Sequence, residues 1–145
     1  MGSALPVWTA PGDNLAPYAA LKVIQPGDIL VVASASYTGC ALLGDHIMGL
    51  LNNAKAAGMI TDGLVRDLEG LRNINLPVYA AGTSPLVPTK HGPGTVGLPI
   101  TLGSVVIHPG DLVIADDDGI VIVPPAEFAR VSDKLIALRE QDAKL

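Results

Sequence analysis

The chain has 145 residues, enough for one domain with a sizeable hydrophobic core. A formal net charge of -5, with nine Lys and Arg scattered along the sequence, leaves no basic stripe and argues against a nucleic-acid-binding surface. Apolar residues make up 49% and aromatics only 3%, so the core must be Val, Ile, Leu and Ala, and the single cysteine, Cys40, excludes an intrachain disulfide.

Residues 5–9 read as a strand that begins almost at once. Pro11, Gly12, Asp13 and Asn14 are turn chemistry, after which 15–24 reads as a helix. Asp13 or Asn14 is then its N-cap, or Asn14 turns an amide into a site at that helix end. The turn Gln25-Pro26-Gly27-Asp28 feeds the apolar run 29–33, the pattern of a strand buried on both faces. Cys40 lies in a further apolar run and reads as a small buried hydrophobe rather than a catalytic thiol. Gly44 and Asp45 open a helix over 45–54, with Ile47, Leu50 and Leu51 on its apolar side. Its free backbone N–H groups offer an anion cradle that a glycine lets a ligand approach. Asp45 is either a first-turn acid favoured by the helix dipole or a site residue.

A small strand, Met59-Ile60-Thr61, then turns at Asp62-Gly63 and reaches Arg66-Asp67 before a short helical stretch to Leu71. On spacing alone this pair is a surface ion pair worth a few tenths of a kcal/mol to about 1. The chemistry allows more. Arginine presents a planar fork that matches a carboxylate, and an aspartate beside it is an oxygen ligand suited to a hard divalent cation.

Residues 76–81 read as the next strand and 82–97 as a long irregular loop holding Lys90 and His91, whose plainer reading is solvated or interface charge. Antiparallel strands over 98–102, 104–107, 112–115 and 120–123 follow. Asp116, Asp117 and Asp118 before Gly119 mark a hairpin turn rather than a calcium loop, because the EF-hand spacing is absent. Residues 124–144 read as a helix with Phe128 or Ala129, Val131, Leu135 and Leu138 on one face. No apolar run approaches the roughly 18 residues of a membrane span, and no basic-then-apolar leader opens the chain, so a cytoplasmic protein without membrane contact is expected. A mean hydropathy of +0.44 is high for a small monomer and predicts apolar surface covered by other subunits.

The segments PGDN (11–14), PGDILVV (26–32), Gly44-Asp45, ITDGLVRDL (60–68), LPVYAAGTSP (76–85), KHGPG (90–94) and PGDLVIADDDGIVIVP (109–124) together resemble one family over nearly the whole chain. That family contains the metal-dependent 4-hydroxy-4-methyl-2-oxoglutarate/4-carboxy-4-hydroxy-2-oxoadipate aldolases and the RNase E activity regulator A proteins. The resemblance implies an α/β fold, a β/β/α swivelling-domain-like sandwich with mixed sheets, as a single domain over 1–145 that assembles into a homotrimer or hexamer. It implies a class II pyruvate aldolase that also decarboxylates oxaloacetate, or else a non-catalytic trimeric module of the RNase E regulator type. In the aldolase branch the arginine matching Arg66 clamps the pyruvyl carboxylate of a small oxo-acid. The aspartate matching Asp67 holds Mg or Mn, Asp45 contacts water on that ion, the stretch Gly44, Asp45, His46 and Ile47 supplies backbone donors, and Asn14 lines the pocket. The chemistry agrees, because cleavage leaves a pyruvate enolate that a divalent ion and fixed positive potential stabilise. The GTSP and KHGPG segments resemble the aldolase-like branch more closely.

The sequence also departs from the family pattern. The family usually carries a helical segment with an acidic residue before the first strand, whereas this sequence begins at that strand, as either a truncated chain or a member with part of its pocket lost. A neighbouring-subunit acid is placed only loosely at Glu140 or Asp142. Gly97 replaces a common asparagine, Gly103-Ser104 a Gly-Gly, and Lys55 a helix-closing glycine. His46 and Ile47 stand where leucines are usual; Ile47 keeps a backbone donor, while His46 is expected to narrow the pocket or change its proton inventory.

Overall fold

The computed structural model describes residues 1–144. The elements in chain order are β1 (Gly2–Thr9), α1 (Leu15–Ala20), β2 (Asp28–Ala33), β3 (Ala41–Leu43), α2 (Asp45–Asn53), β4 (Gly58–Thr61), β5 (Leu64–Val65), α3 (Leu68–Asn73), β6 (Val78–Tyr79) and β7 (Gly82–Thr83). They continue with β8 (Gly94–Val96), β9 (Ile100–Leu102), β10 (Val105–Ile107), β11 (Leu112–Asp116), β12 (Gly119–Val123), a 3-10 turn (Pro125–Glu127) and α4 (Phe128–Asp142).

A mixed seven-stranded sheet runs β12-β11-β1-β2-β4-β6, with β8 pairing the last residues of β1. The neighbours β1, β2, β4 and β6 are parallel, while β11, β12 and β8 run antiparallel. The apolar run of β2 sits mid-sheet, as its composition predicts. Leu30 and Val32 enter a core with Val7, Met59, Met48 and Leu51, under the helices and the small sheet. Ile29, Val31 and Ala33 enter a second core with Ile60, Ile100, Ile107 and Val113, under the β9–β10 hairpin. A Leu51→Ala cavity in the first core would cost about 2–5 kcal/mol.

The second sheet decides where the chemistry sits. Strands β3, β5 and β7 are short and parallel, in the order β3-β5-β7. Leu43 pairs with Val65 and Val65 with Thr83, so the residues that follow each strand leave the sheet side by side. These are Gly44-Asp45, Arg66-Asp67 and Ser84-Pro85.

Several boundaries differ from the sequence reading. The first helix is regular only to Ala20; Leu21, Lys22 and Val23 donate to carbonyls three residues back, a tightened turn that reaches Ile24. The stretch 82–97 is not structureless, since it holds β7 and β8. Asp116 Oδ1 accepts from the N–H groups of Asp118 and Gly119, closing the β11–β12 hairpin as expected. The α4 helix forms, but none of its residues is buried. Cys40 is a free, buried thiol whose pKa burial pushes up, as its apolar setting predicts. No helix among the described residues is long and apolar enough to cross a membrane.

Candidate functional site

The parallel pairing of β3 with β5 brings the Gly44-Asp45 step to the Arg66-Asp67 step across 21 residues of sequence. Arg66 N–H donates to the Leu43 carbonyl at 3.0 Å, which fixes the backbone just before the helix start. The carboxyl ends of parallel strands are the usual place for a ligand in an α/β sheet. Gly44 has an extended backbone (φ -141°), open to any residue, so its conformation does not require glycine. Close approach does: a Cβ there would stand 2.3 Å from Asp67 Oδ2 and 3.2 Å from Arg66 Nε. Gly70 of α3 is constrained in the same way, because a Cβ would meet Asp45 Oδ2 at 2.3 Å. Two glycines therefore let α2 and α3 approach closely, Gly44 against Arg66 and Asp67 and Gly70 against Asp45, whose side chain lines a neighbouring cleft with His46 and Gly49.

Arg66 Nε and Asp67 Oδ2 are 3.2 Å apart, with side chains 36% and 39% exposed. They form an ion pair that stays open to solvent and to a ligand. Asp67 adopts a left-handed backbone (φ 61°), a conformation Asp and Asn reach more readily than most residues and one that costs about 1–3 kcal/mol. The strain falls at the residue with the strongest chemical claim. Thr83, Ser84 and Pro85 line the same cleft, of about 330 Å³. In the sequence the Gly82-Thr83-Ser84-Pro85 motif carries only the family resemblance; the signal that places it here is that Gly82 and Thr83 form a third parallel strand, with Ser84 and Pro85 immediately after it.

The other expected residues stand at the edge of this arrangement. Asp45, His46 and Ile47 form the first turn of α2, whose N–H groups lack acceptors within the helix. The Ile47 side chain is core. The His46 ring lies 6.3 Å from the Tyr18 ring of α1, and Lys90 Nζ stands 4.8 Å from the centroid of that same tyrosine. Asn14 is buried; its Nδ2 donates to the Leu42 carbonyl at 2.9 Å, and its Oδ1 has no hydrogen-bond partner. Asn14 thus ties α1 to β3, the strand that leads into Gly44, and does not cap its own helix. An orphaned buried acceptor costs about 1–3 kcal/mol, so a donor from water or ligand is favoured there.

Asp13 supplies the cap instead. Its carboxylate accepts from Leu15 N–H (2.9 Å), the Thr89 hydroxyl (2.9 Å) and His91 N–H (2.5 Å), pinning the 82–97 loop to α1. Burial pulls this carboxyl upward, but these bonds and one from Gly92 outweigh it and set its pKa to about 2, below the ordinary 3.8. A lowered folded pKa means stability that is full above pH 3.8 and lost as pH falls through about 2. The urea midpoint of the protein is expected to fall across that window, and Asp13→Asn to remove this part of the slope. An unchanged slope in Asp13→Asn would assign it to other carboxylates.

The donor set fits a hard divalent ion of one kind. Among the described residues no group of three or more His, Cys, Asp or Glu converges. Asp67 offers a half-exposed carboxylate and Asp45 lies across Gly70, the pattern of an ion that keeps several waters and binds through one or two carboxylates. A thiolate or imidazole cage is not available at this cleft.

The model of the RraA-like family, described as Aldolase/RraA, matches residues 1–122. The chain belongs to that family. It is 34% identical over 134 residues to a Halalkalibacterium halodurans protein named "Putative 4-hydroxy-4-methyl-2-oxoglutarate aldolase", covering 92% of this chain and 64% of the relative. A Bacillus cereus protein of the same name is 38% identical over 110 residues, 76% of this chain and 69% of the relative. The chain therefore spans under two thirds of the length of the first of these RraA-like relatives. Among solved structures, a Streptomyces coelicolor member of the RNase ES inhibitor RraA family is 33% identical with a TM-score of 0.85, covering 98% of this chain and 73% of that one. The mixed α/β architecture expected from the sequence is thus the architecture of the RraA-like family.

Proposed function

We propose that this RraA-like protein is a divalent-metal-dependent class II pyruvate aldolase, cleaving 4-hydroxy-4-methyl-2-oxoglutarate-like oxo-acids to pyruvate and decarboxylating oxaloacetate. The observation that carries the proposal is the convergence of Arg66, Asp67, Gly44 and Asp45 at the carboxyl ends of β3 and β5. The names of the halodurans and cereus relatives support the same reaction class.

Each residue has a role that its position allows. The Arg66 fork binds the pyruvyl carboxylate, helped by the α2 N–H groups and the positive end of that helix. Asp67 is the carboxylate that would hold Mg or Mn. When bound, such an ion acts as a Lewis acid at the 2-oxo group and lowers the cost of negative charge developing there. In the aldol substrate the bond between C3 and C4 breaks, its electron pair passes to C3 as the pyruvate enolate, and the C4 hydroxyl loses its proton as C4 becomes a ketone. Asp45 orders the water that takes this proton. The enolate then gains a proton at C3 to give pyruvate. With oxaloacetate the same bond breaks and carbon dioxide leaves. Asn14 keeps β3, and with it Gly44, in register with α1.

The test is pyruvate release from the hydroxy-oxo-acid with Mg or Mn, with and without EDTA. Metal-dependent release is the expected result, and no release from the intact protein would remove the enzyme reading. One observation favours a second reading, a non-catalytic trimeric protein-binding module of the RNase E regulator kind: the Streptomyces coelicolor structure, 33% identical, is described as an unusual member of the RNase ES inhibitor RraA family. The apolar residues Val105, Val106, Val121, Leu135, Ile136 and Leu138 are all exposed on one chain. We assign these residues to contacts within a homotrimer, which either reading requires, in which case sedimentation gives three times the chain mass or a multiple of it; a single-chain mass would remove the assignment.

A further inference from the structure

A second cleft adjoins the one that holds Arg66 and Asp67. It has a volume of about 370 Å³ and shares Leu68 and Thr83 with the first as a common wall. Beyond that wall its lining turns apolar, with Val65, Leu71, Leu76 and Val78, and its polar groups include one cation, Arg72. Leu68 and Arg72 stand four residues apart on α3, so they share a face and lie about 6 Å apart along its axis. Among the described residues no carboxylate lies within ion-pair distance of Arg72. The plainer account of Arg72 is a last-turn charge that complements the helix dipole. The dipole alone does not explain why Arg72 lines an apolar recess that shares Leu68 and Thr83 with the Arg66 cleft.

We propose that the two clefts form one elongated binding site for a 2-oxo acid whose apolar chain ends in a second carboxylate. The 2-oxo end lies at Arg66 and Asp67, the methylene chain crosses Leu68 and Thr83, and the distal carboxylate is held by Arg72. This rests on the aldolase reading of the Arg66 cleft and extends it to specificity: Arg72 discriminates by length and terminal charge and takes no part in bond cleavage. Methylene groups laid on the Leu71, Leu76 and Val78 wall leave water, and a guanidinium facing a carboxylate adds a charge-assisted bond.

The test is calorimetric binding, in the presence of Mg, of pyruvate and of 2-oxo dicarboxylates with two, three, four and five methylenes between the oxo and terminal carboxyl groups. Affinity is expected to rise about two- to fourfold per methylene once the chain crosses Leu68. Arg72→Gln should weaken the longest ligand by about tenfold or more and leave pyruvate unchanged, with Arg72→Lys in between. Ala80→Leu, which narrows the recess away from the first cleft, should weaken only the long ligands. An affinity independent of length, or long ligands that bind Arg72→Gln as tightly as the unaltered protein, would overturn the elongated site while leaving the aldolase reading intact. Failure of pyruvate itself to bind the unaltered protein would overturn both.

Discussion

Arg66→Ala is expected to lower kcat/KM for pyruvate release by on the order of 100- to 1000-fold, the loss that follows removal of a charge-assisted carboxylate clamp. The side chain is more than a third exposed and packs on the open start of α2, so the fold should tolerate its removal with little change in thermal midpoint. The pattern of the loss is as informative as its size. Arg66 Nε lies 3.2 Å from Asp67 Oδ2, so the arginine competes with a cation for that carboxylate. Without it, the metal concentration needed for half-maximal residual activity should fall or stay level, while the substrate KM rises. Arg66→Lys keeps the charge but loses the planar fork, and should recover only part of the rate. A variant that needs more metal, with an unchanged substrate KM, would move Arg66 from the substrate to the ion.

Asp67→Asn is expected to raise the metal concentration required for activity by about 100-fold or more, because losing even an outer-shell partner costs 10- to 100-fold in affinity and Asp67 is placed to touch the ion itself. Asparagine is the informative replacement. It has the same shape and tolerates the left-handed backbone that Asp67 adopts at φ 61°, whereas alanine would add strain there. The effects of Asp67→Asn and Arg66→Ala should not add, since the two side chains contact one another. Titration calorimetry with Mn, read beside the activity, separates the cases. Unchanged Mn affinity in Asp67→Asn would place the ion elsewhere.

The parts of the fold that were legible in the sequence are those whose pattern is local. The Pro-Gly-Asp turns and the apolar run of β2 state their structure in consecutive residues, and the strand is buried on both faces as that composition requires. The Asp-Gly turn likewise announces the β11–β12 hairpin. Strands β5 and β7 have two residues each, too few for any period, so neither their existence nor their parallel pairing is written locally. That pairing sets Gly44 beside Arg66. The Arg66-Asp67 and Gly44-Asp45 steps were therefore readable as chemistry, while their convergence, and the presence of Thr83 and Ser84 beside them, comes from strand register. The apolar stripe of α4 was also readable, but a stripe says only that the helix has a partner-facing side. Leu135 and Leu138, each more than half exposed, show that this side does not face the chain's own core.

The Asp13 clamp shows a further limit of sequence reading. A Gly-Asp-Asn turn suggests a cap at either residue, and both residues are used: Asp13 for the helix start and the distant loop, Asn14 for β3. One carboxylate can hold segments 76 and 78 residues away only because β8 returns alongside β1.

The claim that this site stabilises the enolate of pyruvate is tested most directly by proton NMR of pyruvate in deuterium oxide with the protein and Mg. Reversible formation of the enolate exchanges the methyl protons for deuterium without any second substrate. The methyl signal is expected to disappear at a rate proportional to protein concentration, and EDTA or Arg66→Ala to abolish that loss. A methyl signal that decays no faster than in buffer, in a sample that binds Mg and retains its fold, would contradict it.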